Sequence, residues 1–164
     1  MANLVYLSLG SNIGDRETNL HEAIRRLRAH SHVVSVSSFY ETEPVEFTQQ
    51  AKFLNCAVAL QTDDSPAHLM ASLLQIEQDM GRQRLQKKGP RIIDIDILLF
   101  GDQVVNAPEL TIPHPAMAQR RFVLEPLAEI APGVRHPVLQ KTIEELLGEL
   151  PAGQSVRRIR GTDD

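Results

Sequence analysis

The chain has 164 residues, 42% hydrophobic and 23% charged, with a formal net charge of −4; this suits one domain over residues 1–164 with a single core, and a second fused domain is not expected. The acidic balance argues against general nucleic-acid binding, and the lone Cys56 excludes an intramolecular disulfide and any cysteine-based zinc site. Neither a basic leader nor a run near the ~18 apolar residues of a membrane span is present, so a cytoplasmic protein is expected.

Residues 3–10 alternate into a strand that ends at the turn-rich Gly10-Ser11-Asn12-Ile13-Gly14. Asp15 is placed to cap a helix in which Leu20, Ala23, Ile24 and Leu27 repeat at helical spacing. His32 to Thr42 reads as one second strand, and the polar Glu43 to Gln50 as a mobile loop. Phe53 to Thr62 is a third strand, with Leu54, Cys56, Val58 and Leu60 on one face and Phe53 and Asn55 on the other. Ser65-Pro66 opens a second helix with the stripe Leu69, Leu73, Ile76 and Met80, stopped by Gly81. Arg82 to Lys88 is a basic loop, and Gly89 to Phe100 reads as a central strand. The order βαββαβ is that of an α+β, ferredoxin-like core.

An additional C-terminal hairpin and helices decorate this core. Gln103-Val104-Val105 is expected to pair with the end of the central strand, and Leu110 to Pro115 to run extended into a short helix around Met117 to Arg121. Thr142 and Glu145 form a capping box for a last helix that turns Ile143, Leu146, Leu147 and Leu150 inward. Ser155 to Arg160 is expected as a final edge strand whose arginines are solvated.

Two aspartates stand in the apolar run Ile92-Ile93-Asp94-Ile95-Asp96-Ile97-Leu98-Leu99-Phe100. On a strand, Asp94 and Asp96 share one face while Ile93, Ile95, Ile97 and Leu99 take the other. Their Cα atoms would lie ~6.6 Å apart, near enough for both carboxylates to reach one metal cluster. Two buried carboxylates repel each other and lose solvation, and a counter-cation remedies both. The competing reading is a solvated face that keeps an edge strand from aggregating. Arg82, Arg84, Lys87, Lys88 and Arg91 before the run, with His114 and Arg120 after it, favour a Mg²⁺–nucleotide site, because metal-bound polyphosphate keeps excess negative charge. No Gly-Lys-Ser/Thr follows Gly10 to Gly14, so this is not a Walker A loop, and the protein-kinase set is absent. His114, fixed between Pro113 and Pro115, reads equally as a structural partner or an aimed ligand group.

The motifs, in order, are Gly10-Ser11-Asn12 with Gly14-Asp15-Arg16-Glu17, Ser37-Ser38-Phe39-Tyr40-Glu41-Thr42, and Phe53-Leu54-Asn55. Glu77 with Gly81-Arg82-x-Arg84 and Gly89-Pro90-Arg91-x-x-Asp94-x-Asp96 follow, then Ile112-Pro113-His114-Pro115 and Arg120-x-Phe122-Val123-Leu124-x-Pro126-Leu127. With these the chain resembles the 6-hydroxymethyl-7,8-dihydropterin pyrophosphokinases of folate biosynthesis, from Leu7 to about Pro132. The resemblance implies a ferredoxin-like fold and an ATP-dependent diphosphotransferase that moves the β,γ-pyrophosphoryl group of ATP to the pterin's hydroxymethyl oxygen, releasing AMP. It implies that Asp94 and Asp96 hold two Mg²⁺ ions, and that Arg82 and Arg91 grip phosphates, Arg82 from a loop that closes during turnover. Glu77, Arg84, Ile97, Thr111, His114 and Arg120 match further nucleotide positions. Thr42, Val45 and Asn55 match positions that bond the pterin edge, beside Asp94, and Phe53 and Phe122 match the aromatics that sandwich its ring. A monomer acting on these two small molecules, with no nucleic acid or membrane partner, is expected. The sequence departs from well-known members near Lys88, where the loop is one residue shorter, and at Glu109 and Pro115. On the residues alone, another Asp-x-Asp phosphotransferase and a non-catalytic ferredoxin-like sensor stay open.

Overall fold

The computed structural model describes residues 2–42, 52–81, 92–154 and 156–160. Val5, Leu7 and Leu9 alternate along β1 (Asn3–Ser11) and are fully buried, which makes β1 a spine of the sheet. α1 (Arg16–His30) starts where Asp15 accepts the Thr18 N–H at 3.1 Å, a bond that also lowers the pKa of the Asp15 carboxyl. β2 (His32–Val36) and β3 (Phe39–Thr42) both pair with β4 (Phe53–Thr62). α2 (Pro66–Asp79) is capped by Ser65 with Pro66 in its first turn, and Gly81 follows it at φ +91°. Then come β5 (Asp94–Phe100), β6 (Val105–Ala107), β7 (Leu110–Ile112), a 3₁₀ turn (Met117–Gln119), α3 (Arg121–Ile130), α4 (Ile143–Gly148) and β8 (Val156–Arg160).

The main sheet runs β5-β1-β4-β3-β8, with β2 beside β3 on β4. Taking β2 and β3 as one broken strand, the core is βαββαβ in the order fourth, first, third, second, the ferredoxin-like arrangement. Helices α1 and α2 cover one face, burying their stripes against Leu7, Leu9, Val58, Ile95 and Ile97. On the other face α3 and α4 cover Tyr6, Ala57, Ala59, Leu98 and Leu99. Among the described residues no helix is long and apolar enough to cross a membrane.

Expectations for four segments need correction. The strand over His32 to Thr42 is broken at Ser37-Ser38, because the Ser37 hydroxyl accepts the Ala57 N–H at 2.8 Å in place of a main-chain carbonyl. The run that carries Asp94 and Asp96 is an edge strand, not a central one. Its rim is covered: Ile95 N–H donates to Glu77 Oε2 at 2.7 Å and the Leu98 carbonyl accepts the His114 N–H at 3.0 Å. A register shift there pairs Leu7 with Ile97 but Tyr6 with Leu99, so the extra Leu98 turns Leu99 onto the aspartate face. Third, Val105 pairs with Ile112 in a separate two-stranded hairpin rather than with β5. Fourth, the short helix ends as a 3₁₀ turn and a longer one, α3, follows with Pro126 inside it. Proline costs a helix interior ~3 kcal/mol, which masked α3 in the sequence; burial of Val123, Leu124 and Leu127 offsets that cost. The capping box at Thr142, the β8 edge strand and the caps at Asp15 and Ser65 stand as expected.

Candidate active site

The two aspartates lie at the edge of the sheet face that α3 and α4 partly cover, and both are half-buried. Opposite residues on antiparallel strands share a face, and the ladders set Asp94 beside Gly10, Gly10 beside Asn55, and Asn55 beside Tyr40. The next row is Asp96, Ser8 and Ala57. The carboxylates therefore look across a floor of small side chains. Glu77, reaching up from α2 to the Ile95 N–H, holds the strand between them. Among the described residues no group of three or more His, Cys, Asp or Glu is gathered for a metal ion. A carboxylate pair at a sheet edge suits instead a hard cation that completes its shell with water and phosphate oxygens.

At the other end of the first row, Asn55 Nδ2 donates to Thr42 Oγ1 at 3.0 Å. Both residues are 4% exposed, so the amide is fixed. Asn55 Oδ1 occupies the space above Gly10, where a Cβ would come within 2.7 Å of it and 3.5 Å of Phe53 Cδ1. A glycine in a buried strand is explained by that close approach. Phe53 lies two residues before Asn55, hence on the same face, and is half-buried.

The third wall is the turn into α3. Arg120 precedes the helix with its guanidinium carbon 5.6 Å from the centre of the Phe122 ring, a cation–π contact that settles both side chains. His114 is anchored twice, by its N–H to Leu98 and by Nδ1, which accepts the Ala116 N–H at 3.1 Å. Burial lowers its pKa, Arg120 adds to this, and Asp94 opposes it. With Nδ1 an acceptor, neutral His114 carries its proton on Nε2 as a donor.

The structure thus brings together Asp94, Asp96, Asn55, Thr42, Phe53, His114, Arg120 and Phe122 around one sheet face. Ile97 is elsewhere: its side chain is in the core beneath, among the helices. Glu77 lies buried under the strand, and Thr111 sits exposed on the β6–β7 hairpin. Val45, Arg82, Arg84 and Arg91, with Lys87 and Lys88, fall outside the described residues. The sequence places Gly10 in a motif without a role; the structure gives it one, and its place within a strand was the available signal. Glu41, also named only within a motif, binds Arg16 at 2.9 Å and Arg157 at 3.1 Å, and its pKa is lowered chiefly by the Arg16 bond. Glu129 gave no local signal: it reaches from α3 to Ser38 and to the Tyr40 hydroxyl at 2.6 Å, joining helix to sheet over a long sequence separation.

Residues 6–132 match the family described as 7,8-dihydro-6-hydroxymethylpterin-pyrophosphokinase. The chain belongs to that family. A 2-amino-4-hydroxy-6-hydroxymethyldihydropteridine pyrophosphokinase of Bacillus subtilis is 49% identical over 79% of this chain and 79% of its own length. The protein of the same name from Aquifex aeolicus is 39% identical over 88% of this chain and 91% of its own. The folic acid synthesis protein FOL1 of Dictyostelium discoideum is 41% identical over 96% of the chain, which spans only 24% of that longer protein. Among solved structures, a Plasmodium falciparum HPPK-DHPS with pteroate superposes with a TM-score of 0.74 at 18% identity, over 91% of this chain and 42% of that one. This last likeness shows the family's fold.

Proposed function

We propose that the protein transfers the pyrophosphoryl group of ATP to the hydroxymethyl oxygen of 6-hydroxymethyl-7,8-dihydropterin, releasing AMP, as a cytoplasmic step of folate synthesis. Membership of the pterin pyrophosphokinase family supports this reading, and so does one observation of the molecule. Asp94 and Asn55 lie in one cross-strand row of a single sheet face, with Asp96 in the next row, Thr42 bonded to Asn55, Phe53 on the same face and Phe122 on the helix that partly covers it.

The side chains divide the work. Asn55 offers a fixed acceptor, and Thr42 aims it, so the flat polar edge of a pterin is recognised by direction as well as by contact. Phe53 and Phe122 supply aromatic faces, each contact worth ~0.5–1.5 kcal/mol beyond area burial. Asp94 and Asp96 would hold Mg²⁺ on the triphosphate, where it would supply positive charge to the phosphate oxygens and polarise the phosphorus under attack. Arg120 and the Nε2–H of neutral His114 bond phosphate oxygens as charge shifts toward the leaving group. The hydroxymethyl oxygen attacks the β-phosphorus, the bond from that phosphorus to the α–β bridging oxygen breaks, and AMP leaves with that oxygen. The hydroxyl proton passes to solvent.

The test is to incubate the protein with ATP, Mg²⁺ and the hydroxymethyl dihydropterin and identify the nucleotide released. Pterin-dependent AMP is expected. ADP, or AMP release that ignores the pterin, refutes the proposal.

A further inference from the structure

The segment after α4 lies beyond the residues that match the family, yet it reaches two walls of the site. Gln154 Oε1 accepts the Arg121 N–H at 2.7 Å, and its Nε2 donates to the Gln119 carbonyl at 3.0 Å. The Arg121 N–H is a first-turn donor that α3 cannot satisfy from within, and Arg120 at the cap position makes no side-chain cap of its own. Gln154 supplies that cap from elsewhere in the chain. Its two bonds bracket Arg120, the residue in contact with the Phe122 ring.

Immediately afterwards the same segment joins the sheet. Val156 pairs with Thr42 and Arg157 with Glu41 in the β3–β8 ladder, and the Arg157 guanidinium donates to Glu41 at 3.1 Å. Thr42 in turn holds Asn55. Gln154 thus bonds the turn into the helix that carries Phe122, while Val156 and Arg157 pair with the strand that carries Thr42.

We propose that this C-terminal segment is a strap that sets the spacing of the two walls of the pterin cleft, with Gln154 the positioning residue for the Arg120–Phe122 wall. The proposal rests on the pterin reading of the site. Gln154 is exposed, so Gln154→Ala removes two bonds without opening a cavity in the core. A purely structural role would lower Tm slightly and leave pterin affinity alone. A strap that positions Phe122 raises the Kd and KM for the pterin about threefold to tenfold, the scale of one hydrogen bond, with kcat held. Gln154→Glu keeps an acceptor for the Arg121 N–H and suits the positive end of the helix, so it recovers most of the loss.

The experiment measures pterin Kd by its fluorescence, with a non-hydrolysable ATP analogue bound, for wild type, Gln154→Ala and Gln154→Glu, together with KM, kcat and Tm. A raised Kd and KM in the alanine variant, recovered in the glutamate variant, supports the strap. Wild-type Kd in both variants, or a loss in Gln154→Ala that Gln154→Glu does not relieve, overturns it while the function stands. A wild type with no pterin affinity refutes the functional reading, and the strap with it.

Discussion

Replacing Gly10 by alanine tests how tightly the sheet is fitted around the pterin edge. The new Cβ would stand 2.7 Å from Asn55 Oδ1, where ordinary contact begins at 3.4 Å, so the amide must retreat by 3.4 − 2.7, about 0.7 Å. Gly10 is not among the residues of positive φ, so the substitution perturbs the contact and not the backbone. Asn55 has little room to yield, being 4% exposed and bonded to Thr42 at 3.0 Å. A move of this size takes that bond toward the limit of hydrogen-bond geometry, and a buried polar group left without its partner costs ~1–3 kcal/mol. At 1.4 kcal/mol per tenfold, pterin affinity falls roughly 5- to 140-fold. Affinity for Mg-ATP is expected to hold, because the displaced amide faces the pterin. Calorimetric titration of each ligand into wild type and Gly10→Ala decides it. A pterin Kd within about twofold of wild type would show that the Asn55 amide does not read the pterin edge.

Glu129 binds the Ser38 hydroxyl and N–H and the Tyr40 hydroxyl together; burial, and after it this bond, raises the Tyr40 pKa. Glu129→Ala is expected to lower unfolding free energy by about 2–4 kcal/mol, read by urea denaturation; a change below about 0.5 kcal/mol would deny the link between α3 and the sheet any role in stability. Burial lowers the pKa of both His114 and His136. A histidine depressed on folding binds fewer protons in the native than in the unfolded state, so its contribution is full above the unfolded pKa of about 6.5 and is lost as pH falls below it. Stability should therefore decline from about pH 7 to pH 5, and His136→Asn, which keeps an acceptor for the Val138 and Leu139 N–H groups, should flatten that slope. An unchanged slope in the variant would clear His136 of any part in it.

Much of the site was legible because alternation along a strand is a strict rule. Asp94 and Asp96, and Phe53 and Asn55, fell on the expected faces without any knowledge of the sheet. The caps at Asp15, Ser65 and Thr142 were equally plain, since each uses a hydroxyl or carboxylate within three residues of its donor. What escaped notice depends on partners remote in sequence. One extra residue at Leu98 reversed the face of Leu99, and a serine hydroxyl inserted into a ladder broke one expected strand into two. The edge position of β5 follows from sheet order, which no local pattern encodes. Glu129 and Gln154 make their bonds across long stretches of chain, and neither sits in a recognisable motif.

In the proposed reaction Asp94 and Asp96 turn their carboxylates to one face and hold metal on the triphosphate. Titration with Mn²⁺, followed by electron paramagnetic resonance with a non-hydrolysable ATP analogue and the pterin present, measures this directly. Wild type is expected to bind two Mn²⁺ per chain, and Asp94→Asn and Asp96→Asn each to lose tight binding while keeping the wild-type circular dichroism spectrum. Two tightly held Mn²⁺ ions in both variants would contradict it.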